Sequence, residues 1–273
     1  MARKLLIYTD LDGTLLDARD YSFNSAKKAL GILQGAGIPV IICSSKTRAE
    51  ILSIRQRLRN THPFISENGG GIYLPIGYFP FEPPGVSYTE GYLVTELGTP
   101  YPKLREALSV LKARGFQLKG FGDMTDDEVA ELTGLPTIEE AMLAKAREFD
   151  EPFILIGDGE KTQNIKEAIM DLGLNFTRGR LMHILGDCDK GRAVKIVTEH
   201  YSREYGEVIT CGLGDSPNDL PMLKVVDYPF LVQKPGGYHD PEVNDDRIVR
   251  VDGVGPEGWA KAVTGLLMEL RIS

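Results

Sequence analysis

Cysteine, histidine and long apolar runs are all scarce in this 273-residue chain, and each scarcity closes off a class of function. The three cysteines, Cys43, Cys188 and Cys211, have no CxxC spacing and no histidine cluster beside them, so no cysteine-based metal site is expected. Cys43 and Cys211 fall in apolar runs and read as buried small hydrophobes. No apolar run approaches the roughly 20 residues of a membrane-spanning helix. The opening "MARKLLIYTD" has an apolar stretch of about four residues, short of the roughly 7–15 of a signal-peptide core, and reads as a first strand. The cytoplasm is therefore the expected compartment. An excess of basic residues is missing too. With 31 Lys and Arg against 39 Asp and Glu, the net charge is −8, which argues against nucleic acid or an anionic membrane as partner. An anionic small substrate stays compatible, provided that cations are placed locally.

What is present is the composition of a globular protein, 42% hydrophobic and 26% charged, long enough for one large domain or two modest ones. Apolar runs alternate with helical spacing, the pattern of βαβ units. Lys4–Thr9, Pro39–Cys43 and Phe64–Ser66 read as strands, with helices at 25–34 and 47–58 between them. Residues 75–102 are rich in Pro, Gly and aromatics and read as a crossing or linker. An α+β block follows, with helices at 103–114 and 164–172 and strands near 116–120, 152–156, 175–178 and 182–185. Within it, "TDDE" at 125–128 and "TIEE" at 137–140 are both expected capping boxes. The first style then returns, with a helix at 190–205, an apolar strand at 208–213 and a terminal helix at 259–270. The expected layout is a core domain of residues 1–83 and 187–273, interrupted by an insert at 84–186.

In open parallel sheets, ligands bind beyond the carboxyl ends of the strands. Here three strands end in unusual polar sequence. The first runs into "DLDGT" with Asp10, Asp12 and Thr14, the second into Ser44-Ser45-Lys46, and a late one into "GDSPND" with Asp215, Asn218 and Asp219. If those strands are neighbours, four carboxylates converge and need a cation. Oxygen-only donors suit Mg²⁺, with no nearby His or Cys to favour zinc. Such an ion beside Ser44 and Lys46 makes a site for a phosphoryl group, where one Asp can attack phosphorus. The other can move protons for the leaving alcohol and the hydrolytic water. An EF-hand fails because Thr14 stands at its fifth position and no terminal Glu follows. "GLGDSP" lacks the third glycine of a dinucleotide fingerprint. Lys190 opens a helix, where the dipole favours anions, which points to an anionic partner or to an ordinary solvated lysine.

Together, "DLDGT", "IICSS", Lys190 in "DKG" and "GDSPND" resemble the four motifs of the haloacid-dehalogenase-like phosphatases. The resemblance covers the whole chain. It implies an α/β fold, a Rossmann-like parallel-sheet core, and an inserted α+β cap of the C2B, Cof-like kind that sets specificity. It also implies Asp10 as nucleophile and Asp12 as general acid/base. Mg²⁺ would lie on Asp10, the Asp12 carbonyl and Asp215, with Asp219 beside them, and Ser44, Lys190 and Asn218 on the phosphoryl oxygens. Within that superfamily, "SSKTRAE", "ENGGGI", "LTGLP…A…AREFDEPF" and "RGRLMHILGDCDKGRA" resemble the mannosyl-3-phosphoglycerate phosphatases. That implies a substrate carrying phosphate, carboxylate and sugar.

Arg178, Arg180 and His183, just before the return to the core, are candidate substrate contacts, since Arg forks onto both carboxylate oxygens. Surface arginines on a strand pair are the plainer alternative. Asn68, ahead of three glycines in a turn, is a further candidate hydrogen-bonding group. Lys46 stands where related capped phosphatases often carry Gly-Arg after the hydroxyl, and its role stays open. A glucosyl analogue, a broad sugar phosphatase, a sugar phosphomutase and a non-catalytic sensor are the competing functions. The intact Asp10–Asp12 pair argues against the sensor.

Overall fold

The computed structural model describes residues 3–156 and 162–272. In chain order the first half runs β1 (Lys4–Thr9), α1 (Lys27–Gly35), β2 (Val40–Cys43), α2 (Arg48–Leu58), β3 (Phe64–Ser66), β4 (Gly71–Pro75), β5 (Ser87–Thr89), β6 (Tyr92–Glu96), α3 (Tyr101–Ala113), β7 (Leu118–Gly120), α4 (Asp126–Thr133) and α5 (Ile138–Lys145). It continues through β8 (Asp150–Leu155), α6 (Thr162–Met170), β9 (Asn175–Arg178), β10 (Met182–Leu185), α7 (Lys190–Tyr205), β11 (Val208–Gly214), α8 (Leu220–Leu223), β12 (Tyr228–Gln233), β13 (Val249–Val254) and α9 (Pro256–Glu269). Short 3₁₀ turns at 24–26, 67–69, 121–123 and 217–219 join them.

Nine strands form one sheet in the order β13-β12-β11-β1-β2-β3-β4-β6-β5. It is parallel from β13 to β3 and antiparallel beyond. β1 lies between β11 and β2, which explains why it is apolar on both faces. Alternate residues point to opposite sides. Leu5 and Ile7 join Leu33, Ile51, Trp259 and Val263 in one core layer, under α1, α2 and α9. Leu6 and Tyr8 join Val194, Val197, Tyr201 and Met222 in the other, under α7 and α8. The result is an α/β three-layer arrangement with the carboxyl ends of β1, β2 and β11 side by side.

A second, antiparallel sheet in the order β7-β8-β10-β9 is built from residues 118–185. Helices α3 and α6 cover one of its faces through Leu104, Leu108, Leu111, Ile165 and Ile169. A smaller cluster holds α4 and α5 through Val129, Ala141 and Ala144.

The stretch read as a linker at 75–102 instead contains β5 and β6, which extend the nine-stranded sheet beyond β4. The second sheet is therefore reached through α3, later than the expected insert start at 84. Pro and Gly sit in the turns of this stretch and masked a short hairpin. Of the two expected capping boxes, that at Thr125 is complete. At Thr137 only half forms: its hydroxyl accepts the Glu140 N–H, but Glu140 Oε2 has no partner among the described residues. No helix among the described residues is long and apolar enough to cross a membrane.

Candidate active site

Asp10 is the first residue beyond β1, and its backbone N–H donates to Leu213 O of β11 at 3.0 Å. The strand end is fixed from below. Trp259 Nε1 donates to Thr9 Oγ1 (2.9 Å), whose hydroxyl donates to Asp10 O (2.7 Å). The chain then turns at Gly13, where φ is +78° and a Cβ would stand 3.0 Å from Asp215 Oδ2. Only glycine meets both demands, so the turn brings the "DLDGT" and "GDSPND" loops together.

Lys190, wholly buried at the start of α7, donates to Asp10 Oδ1 at 2.7 Å and to Asp219 Oδ1 at 2.6 Å. The helix is capped by Asp189, whose carboxylate accepts the Arg192 N–H. Asp219 Oδ2 accepts the backbone N–H groups of Asp215 and Ser216 (3.0 and 3.1 Å). Both Asp219 oxygens are thus engaged, and the residue holds its loop and Lys190. Asp215 Oδ1 accepts the Ser216 hydroxyl at 2.7 Å, while its Oδ2 faces Lys234 Nζ at 3.8 Å. Among the described residues Asp10 Oδ2 has no hydrogen-bond partner.

Burial pushes the Asp10 carboxyl well up from its ordinary value; Lys190 opposes the rise, and Asp219 and Asp215 add to it. Asp215 is raised to about 6 by burial and by the Asp219 charge. Burial would depress Lys190, but the Asp10 and Asp219 carboxylates outweigh it and hold the ammonium charged. Carboxylate oxygens of Asp10, Asp215 and Asp219 lie within 4.8 Å of one another. Oxygen-only donors, an Asp215 Oδ2 that accepts no hydrogen bond among the described residues, and Asp10 and Asp215 carboxyls both raised by burial and by the Asp219 charge fit a hard divalent cation such as Mg²⁺. The engaged oxygens of Asp219 place it beside such an ion rather than first among its ligands.

Asp12, the second acid, is held apart. Its Oδ2 accepts Lys46 Nζ at 3.0 Å, and its Oδ1 is buried without a partner. Lys46 also reaches Glu50 Oε1 at 3.1 Å and lies 5.0 Å from the centre of the Tyr21 ring. Glu50 is itself fixed by the complete capping box that starts α2 at Thr47. Lys46, whose part was open from sequence, is therefore the partner of Asp12. Ser44 is buried behind it. Its Oγ accepts the Lys46 N–H at 3.3 Å, leaving the hydroxyl proton free to donate.

A cleft of about 240 Å³ opens between these loops and the second sheet. Asp10, Asp12, Lys46, Asp215 and Asn218 line its floor; Arg147, Arg180 and His183 line its roof. Arg178 is not in that roof: it is exposed on β9 and faces Glu242 at 3.9 Å. Position on an outer strand explains this, since β9 is the edge of its sheet. Asn68 does not line this cleft either. It is buried, donating to Asp150 Oδ2 (2.6 Å) and accepting from Asn218 Nδ2 (3.1 Å). Arg147, Asp150 and Glu50 were assigned no role from sequence. The available signal was charge inside expected apolar structure, "REFDEPF" above all. Arg147 donates to Ser45 O at 2.7 Å, and Asp150 is fully buried against His183.

A family model described as haloacid dehalogenase-like hydrolase matches residues 7–78 and 123–234. A protein of Methanococcoides burtonii named glucosyl-3-phosphoglycerate/mannosyl-3-phosphoglycerate phosphatase is 48% identical over 97% of each chain. One of Persephonella marina with the same name is 40% identical over 98% of each. A mannosyl-3-phosphoglycerate phosphatase of Pyrococcus furiosus is 40% identical over 83% of this chain and 90% of its own. Among solved structures, a HAD/COF-like hydrolase from Plasmodium vivax, described as putative in its name, superposes with a TM-score of 0.68 at 17% identity, covering 98% and 97% of the two chains.

Proposed function

This chain belongs to the haloacid dehalogenase-like hydrolase family, and we propose that it is a phosphatase acting on mannosyl-3-phosphoglycerate and its glucosyl analogue. The products are the glycosylglycerate and phosphate. The observation that carries the substrate is the identity of 40–48%, end to end, with two relatives named for both compounds.

Asp10 Oδ2 is the nucleophile, because Lys190 occupies Oδ1 and leaves Oδ2 open. It forms a bond to phosphorus while the bond from phosphorus to the glycerate oxygen breaks. Asp12 delivers a proton to that oxygen, its carboxylate oriented by Lys46 at Oδ2. Asp12 then takes a proton from water, whose oxygen attacks phosphorus and frees Asp10. The Lys190 ammonium, the Ser44 hydroxyl and the Asn218 amide are the donors we assign to the phosphoryl oxygens. When bound, Mg²⁺ would be held by Asp10, Asp215 and the Asp12 carbonyl, and supplies positive charge opposite the transferring group.

For the glycerate carboxylate we assign Arg180. Lys46 is matched by Asp12 and Glu50, and Lys234 by Asp240 and Asp215. Arg180 lines the cleft with no ion-pair partner among the described residues. We place the protein in the cytoplasm, which suits its three free cysteines.

Phosphate release from both glycosyl-3-phosphoglycerates and from mannose 6-phosphate, with and without Mg²⁺, tests the reading. We expect Mg²⁺-dependent release and a kcat/KM for a glycosyl-3-phosphoglycerate well above that for mannose 6-phosphate. Equal values would overturn the substrate assignment.

A further inference from the structure

Four buried side chains form a continuous hydrogen-bonded row from the floor of the cleft to its roof. Asn218 Nδ2 donates to Asn68 Oδ1 (3.1 Å), and Asn68 Nδ2 donates to Asp150 Oδ2 (2.6 Å). His183 Nδ1 lies 2.8 Å from Asp150 Oδ1. Their exposures are 7%, 2%, 0% and 4% in the order Asn218, Asn68, Asp150, His183. Two of them, Asn218 and Asn68, stand on loops of the larger sheet, and two, Asp150 and His183, on β8 and β10 of the smaller one.

The row has a direction. Each amide accepts with its oxygen and donates with its nitrogen, so the row runs donor to acceptor until it meets the carboxylate. A carboxylate only accepts. His183 must therefore supply the proton on Nδ1. In the neutral imidazole this leaves Nε2 a bare lone pair. His183 lines the cleft, and among the described residues Nε2 has no partner. It is also absent from the atoms buried away from solvent without a partner, which leaves it open to the cleft.

We propose that Asp150 is a positioning residue that fixes His183 as the Nδ1–H tautomer, and that His183 Nε2 accepts a hydrogen bond from a sugar hydroxyl of the substrate. A lone pair at Nε2 accepts from a hydroxyl and repels a carboxylate, so this group reads the sugar while Arg180 takes the anion. The hydroxyl assignment rests on the proposed glycosyl-3-phosphoglycerate activity; the tautomer does not. A site that supplies an acceptor for a substrate hydroxyl discriminates against compounds lacking it, because the polar group is then left unpaired.

The unaltered protein, labelled with ¹⁵N-histidine, gives a direct readout by long-range ¹H–¹⁵N NMR, with only four histidines to assign. We expect His183 to show a protonated Nδ1 and an unprotonated Nε2, and Nε2 to shift, still unprotonated, when mannosylglycerate is added. A protonated Nε2 in the free protein would overturn the role of Asp150, and an imidazolium in the bound state would overturn the hydroxyl contact. Asp150→Asn makes a sharper demand. Asn68 is held as a donor by Asn218, so the new amide must turn its oxygen to Asn68 and its NH₂ to His183. The ring then has to switch to the Nε2–H tautomer. In that variant, and in His183→Ala, the ratio of kcat/KM for mannosyl-3-phosphoglycerate to that for 3-phosphoglycerate should fall roughly tenfold, the worth of one lost hydrogen bond. A merely structural role would lower both substrates together and leave the ratio in place, which would refute the proposal. If the unaltered enzyme shows no preference for the glycosylated compound, the activity reading and the hydroxyl contact both fall. The tautomer measured on the free protein still decides the assignment of Asp150.

Discussion

Lys190 and Asp10 stand 180 residues apart in the chain, and the ammonium of one lies 2.7 Å from the carboxylate of the other. The same ammonium reaches Asp219, so one buried cation joins the ends of β1, α7 and the loop after β11. That relationship makes the proposed catalytic site a structural joint as well.

Lys190→Met should therefore cost stability as well as activity. Removing one partner of a buried ion cluster leaves uncompensated charge, worth about 3–5 kcal/mol. Urea unfolding without Mg²⁺ should show a loss of that order, and turnover should fall to background. Unaltered stability would mean that Asp10 and Asp219 do not depend on this lysine.

Asp10→Asn separates the two roles. Turnover should disappear, since an amide is no nucleophile at phosphorus, while the fold persists because Lys190 keeps Asp219. Burial already opposes charge at Asp10, so the metal-free melting temperature should be equal to or above that of the unaltered protein. Substantial residual phosphate release would refute the assigned nucleophile.

Mg²⁺ should raise the melting temperature of the metal-free protein. At a hundredfold excess over Kd, binding to the folded state alone adds about 2.7 kcal/mol. Asp215→Asn should abolish most of that rise. An equal rise in the variant would remove Asp215 from the cation site.

Lys46→Met tests the hold on Asp12. Glu50 keeps its capping N–H bonds from Thr47 and stays near Arg147, so the fold should persist. Asp12 loses its anchor, and kcat should fall roughly 10- to 100-fold, part of the 10²–10⁴ that general acid–base catalysis supplies. An unchanged kcat would show that Asp12 needs no anchoring.

Glu67 gives a pH signature away from the cation site. Burial raises its carboxyl to about 8, although Arg147 and the N–H groups of Phe149 and Glu148 pull the other way. A raised folded value means that its contribution is full below the unfolded value, about 4.3. It is lost as pH rises through about 8. Glu67→Gln should match the unaltered protein near pH 5 and exceed it at pH 9 by roughly 2–5 kcal/mol, read from urea midpoints. Parallel curves across that range would place an ionised carboxylate there already at neutral pH.

Much of this was legible from short stretches. β9, β10 and α7 fall where their spacing puts them, and the "DLDGT" and "GDSPND" loops meet because β1 and β11 are neighbours. The hairpin of β5 and β6 was not legible, since its Pro and Gly content looks like a linker until β4 offers an edge. Arg178 and Arg180 looked alike in sequence. The turn between β9 and β10 leaves Arg180 over the cleft and sends Arg178 to Glu242.

The sequence by itself pointed to the kind of chemistry, because Asp10 and Asp12, the assigned nucleophile and proton carrier, stand two residues apart at one strand end. Only the tertiary structure decided the partners. Lys46 on Asp12, Lys190 across Asp10 and Asp219, and the row from Asn218 to His183 each join residues from separate elements. Strand order and register set those distances, and no local spacing encodes them.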